Sequence, residues 1–148
     1  PSGWLRDLQT LAAQPYPEQL RRAIVAKNHP ILRNVIPAYQ HQVAKAARRS
    51  DLLSVNHRLA ALFASYFDVL FALNRQTHPG EKKLIHLAQQ NCQRLPVDMA
   101  ADVEAVLRAA GMPEQGLEGS LARLLDHLDA FLLTQGFDPK TSLPLDTP

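Results

Sequence analysis

A chain of 148 residues with a formal net charge of +2 has the length of one ordinary domain and can bury a sizeable core. Its single cysteine, Cys92, excludes an internal disulfide and fits a reducing, cytoplasmic setting, and no apolar run approaches a membrane span. Leu, Ala, Gln and Arg abound while β-branched and aromatic residues are scarce, a composition that favours helix over strand. The opening Pro1, in place of Met, reads as the start of a piece of a longer protein or as a trimmed tag, and no signal-peptide pattern follows it. Charge is unevenly placed: residues 1–94 carry 13 Lys and Arg against 5 Asp and Glu, a balance of +8, and residues 95–148 carry 3 against 9, a balance of −6. Such asymmetry fits either an anionic partner or two halves that attract one another within the fold.

Residues 2–13 predict a short amphipathic helix capped by Ser2, with Trp4, Leu5, Leu8, Leu11 and Ala12 as its apolar stripe and Trp4 as its anchor to a bundle. Pro15 and Pro17 make a turn, and Pro17-Glu18 suits the first turn of a second helix. There Leu20, Ile24 and Val25 are expected inward, with Arg21, Arg22 and Lys27 outward. Asn28-His29-Pro30 is a break, and the helix expected from Ile31 to Arg49 is kinked or divided at Pro37. Asp51, or Ser50 before it, caps the central helix. Its apolar residues fall at Leu52, Val55, Leu59, Leu62, Phe63, Tyr66, Phe67, Leu70, Phe71 and Leu73, most of them on one broad face, which marks it as the core element. Asp68 and Arg75 lie two turns apart on its flank, where they either look into one cleft or form a solvated charge pair.

A break at Thr77-His78-Pro79-Gly80 is expected to open the next helix at once. Glu81, Lys82 and Lys83 then fall in its first turn, and the helix continues to about Cys92. Lysines run against the helix dipole there and suit a bound anion. A further helix spans Val97 to Gly111 with Met99, Val103, Val106 and Leu107 inward. Pro113 to Gly119 reads as a loop, and Ser120 caps a last helix that ends near Thr134, before Gly136. The fold expected is all-α, one up-down helical bundle of about six helices with short loops. It covers residues 1–135 and is followed by a loosely ordered Pro-rich tail, 136–148.

No complete catalytic constellation is present, so no catalytic residue is assigned. The six histidines show no close metal-ligand pairing, and no metal site is assigned. There is no P-loop, GxGxxG, GxSxG or kinase signature. Gly119-Ser120 followed by Asp126 and Asp129 imitates the Gly-Ser and paired-Asp motif of nucleotidyltransferases. That motif needs two carboxylates on one strand reaching a shared Mg²⁺, and here the acids stand three apart in a stretch of helical periodicity.

The segment from Phe67 to Pro96, with Phe71-Ala72-Leu73-Asn74-Arg75, Pro79, Glu81-Lys82 and a Leu-rich run ending at Leu95-Pro96, resembles the helical domain C-terminal to nucleotidyltransferase catalytic modules. More distantly it is similar to the helical half of kanamycin-type nucleotidyltransferases and to HEPN bundles. Two Arg–His pairs miss the spacing of the ribonuclease motif of active HEPN proteins: seven residues separate Arg49 from His57, and three separate Arg123 from His127. The resemblance implies a non-catalytic accessory domain that flanks a nucleotide-handling site and helps form its substrate pocket. Carried onto this chain, it assigns Asn74, Arg75 and Lys82 to that pocket. Lys83 joins them as an anion contact, and Asp68 with Tyr66 shapes the pocket for a cationic or hydroxylated substrate. No cofactor is expected in this chain, Mg²⁺ entering only with a catalytic domain. The partners expected are that catalytic domain in cis or trans, a nucleotide or small-molecule substrate and a second copy of the chain, with no membrane. The competing expectation is a protein–protein interaction module that dimerises through its helical faces and holds no small molecule.

Overall fold

The protein is described by a computed structural model over residues 3–145. Among these residues the chain forms eight α-helices and one 3-10 turn. The helices are α1 (Gly3–Ala12), α2 (Glu18–Asn28), α3 (Pro30–Arg33), α4 (Tyr39–Arg48), α5 (Leu52–Leu73), α6 (Leu84–Asn91), α7 (Met99–Ala109) and α8 (Leu117–Thr134), with the 3-10 turn at Pro113–Gln115. No strand forms among the described residues; the one β-like feature is an isolated antiparallel bridge between Phe137 and Pro144. The fold is all-α, as the composition implied.

α5 is the element the others are laid on. Eleven of its 22 residues are buried, including Tyr66, Phe67 and Phe71, and α2 and α4 pack along it. Tyr66 meets Phe67 edge-on at 5.4 Å between ring centroids, a favoured aromatic geometry. Its N-terminus is closed by Asp51, whose carboxylate accepts from the Ser54 amide at 3.1 Å. Its C-terminus ends in a Schellman motif: the Arg75 amide donates to Ala72 O and the Gln76 amide to Phe71 O. Arg75 takes the left-handed conformation that such an ending requires, at φ 55°. α7 and α8 pair as a second layer, and α8 also meets α4. The same C-terminal device closes α8, where Gly136 supplies the left-handed residue at φ 85° without a Cβ penalty.

Several boundaries differ from those expected. The 31–49 segment divides into α3 and α4 around a cis Ile36–Pro37 bond. α6 begins at Leu84 rather than at Pro79, with Lys83 left-handed before it. Glu81, Lys82 and Lys83 therefore precede the helix and do not fill its first turn. α8 begins one turn before Ser120, at Leu117, because Gly116 at φ 118° makes the entry. Leu107 and Leu52 are exposed rather than inward, and Leu20 is 45% exposed while Arg21 is buried. Trp4 does not anchor α1: it is 59% exposed, and α1 contributes no buried residue. Ser2, expected as the cap of α1, lies outside the described residues.

The tail also departs from expectation as far as Leu145. Phe137 is buried against the core and takes the Arg21 guanidinium over its ring at 4.9 Å. Asp138 N donates to Leu143 O, and Ser142 is buried. Apolar burial of Phe137 outweighs the disordering tendency of the prolines. Residues 146–148 lie outside the described residues.

Candidate functional site

The turn after α5 faces the Pro15–Pro17 turn before α2, and a hollow of about 470 Å³ opens between them. Arg75, Gln76, Thr77 and His78 line one side, Tyr16 and Leu20 the other. The sequence sets this up locally. The Schellman ending turns the chain sharply at Arg75, and the two prolines hold the opposite turn extended. Arg75 reaches Glu18 at 3.3 Å, so the guanidinium is positioned at the rim by a carboxylate that an incoming anion must displace. Burial alone would raise the Glu18 carboxyl, but the Arg21 hydrogen bond, with the charges of Arg21, Arg75 and Arg22, outweighs it and holds the group below its ordinary pKa. Burial, aided by the nearby Asp68 carboxylate, pushes the Tyr16 phenol up, so it remains a hydroxyl donor at neutral pH. His78 stacks edge-on against Phe71 at 5.5 Å, with Nε2 3.9 Å from Asp68 Oδ1.

Of the residues assigned from sequence, Arg75 lines this hollow and Asp68 stands behind it through His78. Asn74 does other work. It caps α5, donates from Nδ2 to Leu70 O at 3.0 Å and accepts the Arg94 amide at Oδ1 at 3.1 Å. Lys83 lies at the margin of a separate hollow of about 510 Å³ between α5, α6 and α7, with Phe63, Phe67 and Leu107. Lys82 is exposed in the connecting loop. Tyr66 points into the core, its hydroxyl buried without a partner, and burial followed by the Asp102 charge raises its pKa. The hollow thus takes Arg75 alone of these residues into its lining, with Asp68 reaching it only through His78, and leaves Asn74, Lys82, Lys83 and Tyr66 apart from it.

Two polar clusters carry residues that sequence spacing could not connect. In the first, His29 donates from Nε2 to Asp129 Oδ1 at 2.7 Å, and Ser142 Oγ lies 2.6 Å from Nδ1. Arg33 binds both Asp129 and Asp126. The Ser–His–Asp order resembles a hydrolase triad, but Ser142 and His29 are each 1% exposed, so no substrate carbonyl could reach the hydroxyl. The cluster fastens the tail and α8 to the α2–α3 break. In the second, Asp102 of α7 accepts from His127 Nδ1 of α8 at 2.6 Å. Over 100 residues separate His29 from Ser142, so the only signal in sequence was polarity at otherwise apolar positions. Cys92 is buried, and burial pushes its thiol up to about 11, which keeps it unreactive as a nucleophile. No group of three or more His, Cys, Asp or Glu is placed to hold a metal ion among the described residues.

No curated protein and no solved structure matches the chain. A family model described as a domain of unknown function (DUF4037) matches residues 1–84, from the opening of the chain through α5 and the Arg75 corner to the start of α6. That span is more than half of the 148 residues, and the chain belongs to this family.

Proposed function

We propose that this chain is a non-catalytic helical accessory domain of a nucleotidyltransferase-like protein, and that its Arg75 corner contributes contacts to the nucleotide or substrate. The observation that carries the reading is the Arg75–Tyr16–His78 hollow, whose Arg75–His78 side falls in the segment that resembles such domains. The guanidinium suits a phosphate, and the Tyr16 and Thr77 hydroxyls suit sugar or substrate hydroxyls. Leu20 and Ile24 offer an apolar wall. The partner is the catalytic domain, in cis or trans, and Mg²⁺ enters only with it. The lone unpaired cysteine supports a reducing, cytoplasmic setting.

Titration with ATP, GTP, CTP and UTP, followed by backbone amide NMR, tests the site. Shifts at Tyr16, Gln76 and Thr77 are expected, with at least fivefold weaker binding in Arg75→Gly. That variant relieves a left-handed non-glycine residue and so keeps the fold. Absence of shifts at millimolar nucleotide, or equal affinity in Arg75→Gly, would count against the reading.

A second reading, a helical interaction module that dimerises, is favoured by one observation. Trp4, Leu5, Leu8 and Leu11 stand exposed together on α1.

A further inference from the structure

A hollow of about 430 Å³ lies between the α6–α7 connection and α8. Arg94, Pro96 and Val97 form one wall, and His127, Phe131 and Thr134 form the other. Its size falls within the roughly 300–1,000 Å³ typical of small-ligand sites. The walls are mostly hydrocarbon, so the polar groups in them are few and each can be accounted for.

Thr134 is occupied, donating from Oγ1 to Phe131 O at 2.7 Å and accepting from Gln135 Nε2 at 3.1 Å. His127 is half-engaged. Its Nδ1–H is held by the buried Asp102 carboxylate at 2.6 Å, which orients the ring and, in the neutral tautomer, leaves Nε2 as the acceptor. The side chain remains 30% exposed along the hollow. Nε2 makes no hydrogen bond among the described residues. Arg94 makes no ion pair among them either, although its main-chain amide is pinned by Asn74 Oδ1 at 3.1 Å. An exposed arginine with no carboxylate partner among the described residues and an imidazole oriented by Asp102 thus line one mostly apolar space.

We propose that this hollow binds a small organic acid with an apolar body and a hydroxyl group, the carboxylate on Arg94 and the hydroxyl donating to His127 Nε2. The proposal is independent of the nucleotide reading, because the two hollows share no lining residue. Asn74 enters it as a positioning residue, through the Arg94 main chain.

The test uses 4-hydroxyphenylacetate as probe, with phenylacetate and 4-cresol as the two half-ligands, on the full chain by amide NMR titration. Shifts are expected at Val97, Ala130 and Thr134. The complete probe should bind at least tenfold tighter than either half. Arg94→Gln should abolish the advantage over 4-cresol. His127→Asn keeps an N–H for Asp102 but places no acceptor at the Nε2 position, and it should abolish the advantage over phenylacetate. Unchanged thermal midpoints in both variants would show that the clamp persists. No shift around the hollow at millimolar probe overturns the proposal, and so does equal binding of the probe and its halves. Unaltered discrimination in both variants overturns it as well.

Discussion

Arg21 shows how one charged residue can be a core residue. Its position in α2 reads as outward, yet the guanidinium sits at the meeting of two helix C-termini. It donates to Gln135 O at the end of α8 at 3.1 Å, lies 3.5 Å from Leu73 O at the end of α5, and pairs with Glu18 at 3.1 Å. Phe137 closes over it. A cation at the carbonyl ends of two helices is favoured by both dipoles, and the long stem buries its methylenes. Replacement by Met keeps most of the volume but leaves those carbonyls without their donor. Arg21→Met is expected to destabilise by on the order of 2–4 kcal/mol, read from urea midpoints. Arg22→Met, one residue on but exposed, is expected to change stability by less than about 0.5 kcal/mol.

At the scale of the element, α1 and α5 are opposites. Both carry apolar residues at helical spacing, but α5 spends them on the core and α1 presents them to solvent. Periodicity alone cannot separate these outcomes, since it states which residues share a face and not what covers it. Leu8, 52% exposed, lies in the middle of the α1 stripe. On the dimerisation reading, light scattering should show a dimer that becomes a monomer in Leu8→Glu. The thermal midpoint of the monomer should be nearly unchanged, because no buried contact is lost. A chain that is monomeric at all concentrations, with and without the substitution, would remove α1 as a self-association surface.

Across the whole molecule, the basic first part and the acidic second part meet. Arg33 binds Asp126 and Asp129, His29 binds Asp129, and Arg48 approaches Glu118 at 3.9 Å. The charge asymmetry therefore serves contacts within the fold at these points. Burial would raise the Asp129 carboxyl, but hydrogen bonds from His29 and Arg33 outweigh it and hold its pKa below the ordinary 3.8. A carboxyl whose pKa is lower folded than unfolded stabilises above the unfolded value and loses that contribution as pH falls through the folded one. Stability is therefore expected to drop as pH falls below about 3.8. The drop should be smaller in Asp129→Asn than in the parent, as measured by denaturation midpoints at pH 6, 4 and 3. Glu18 and Asp51, also lowered, add to the same acid limb in both proteins, so the difference between the two reports Asp129.

The sequence by itself determined the all-α class, the central helix and its Asp51 cap, and the stop at Gly136. Each depends on interactions within a few residues: spacing, a cap three residues away, a residue free to turn left-handed. Tertiary structure alone decided that Arg21 is buried, that α1 is uncovered, that the tail packs, and that Asn74 supports the Arg94 backbone. It also decided that Asp102 orients His127 beside a hollow. These depend on residues from distant parts of the chain arriving at one place, where burial and the pairing of polar groups are set by what packs above them and not by local propensity.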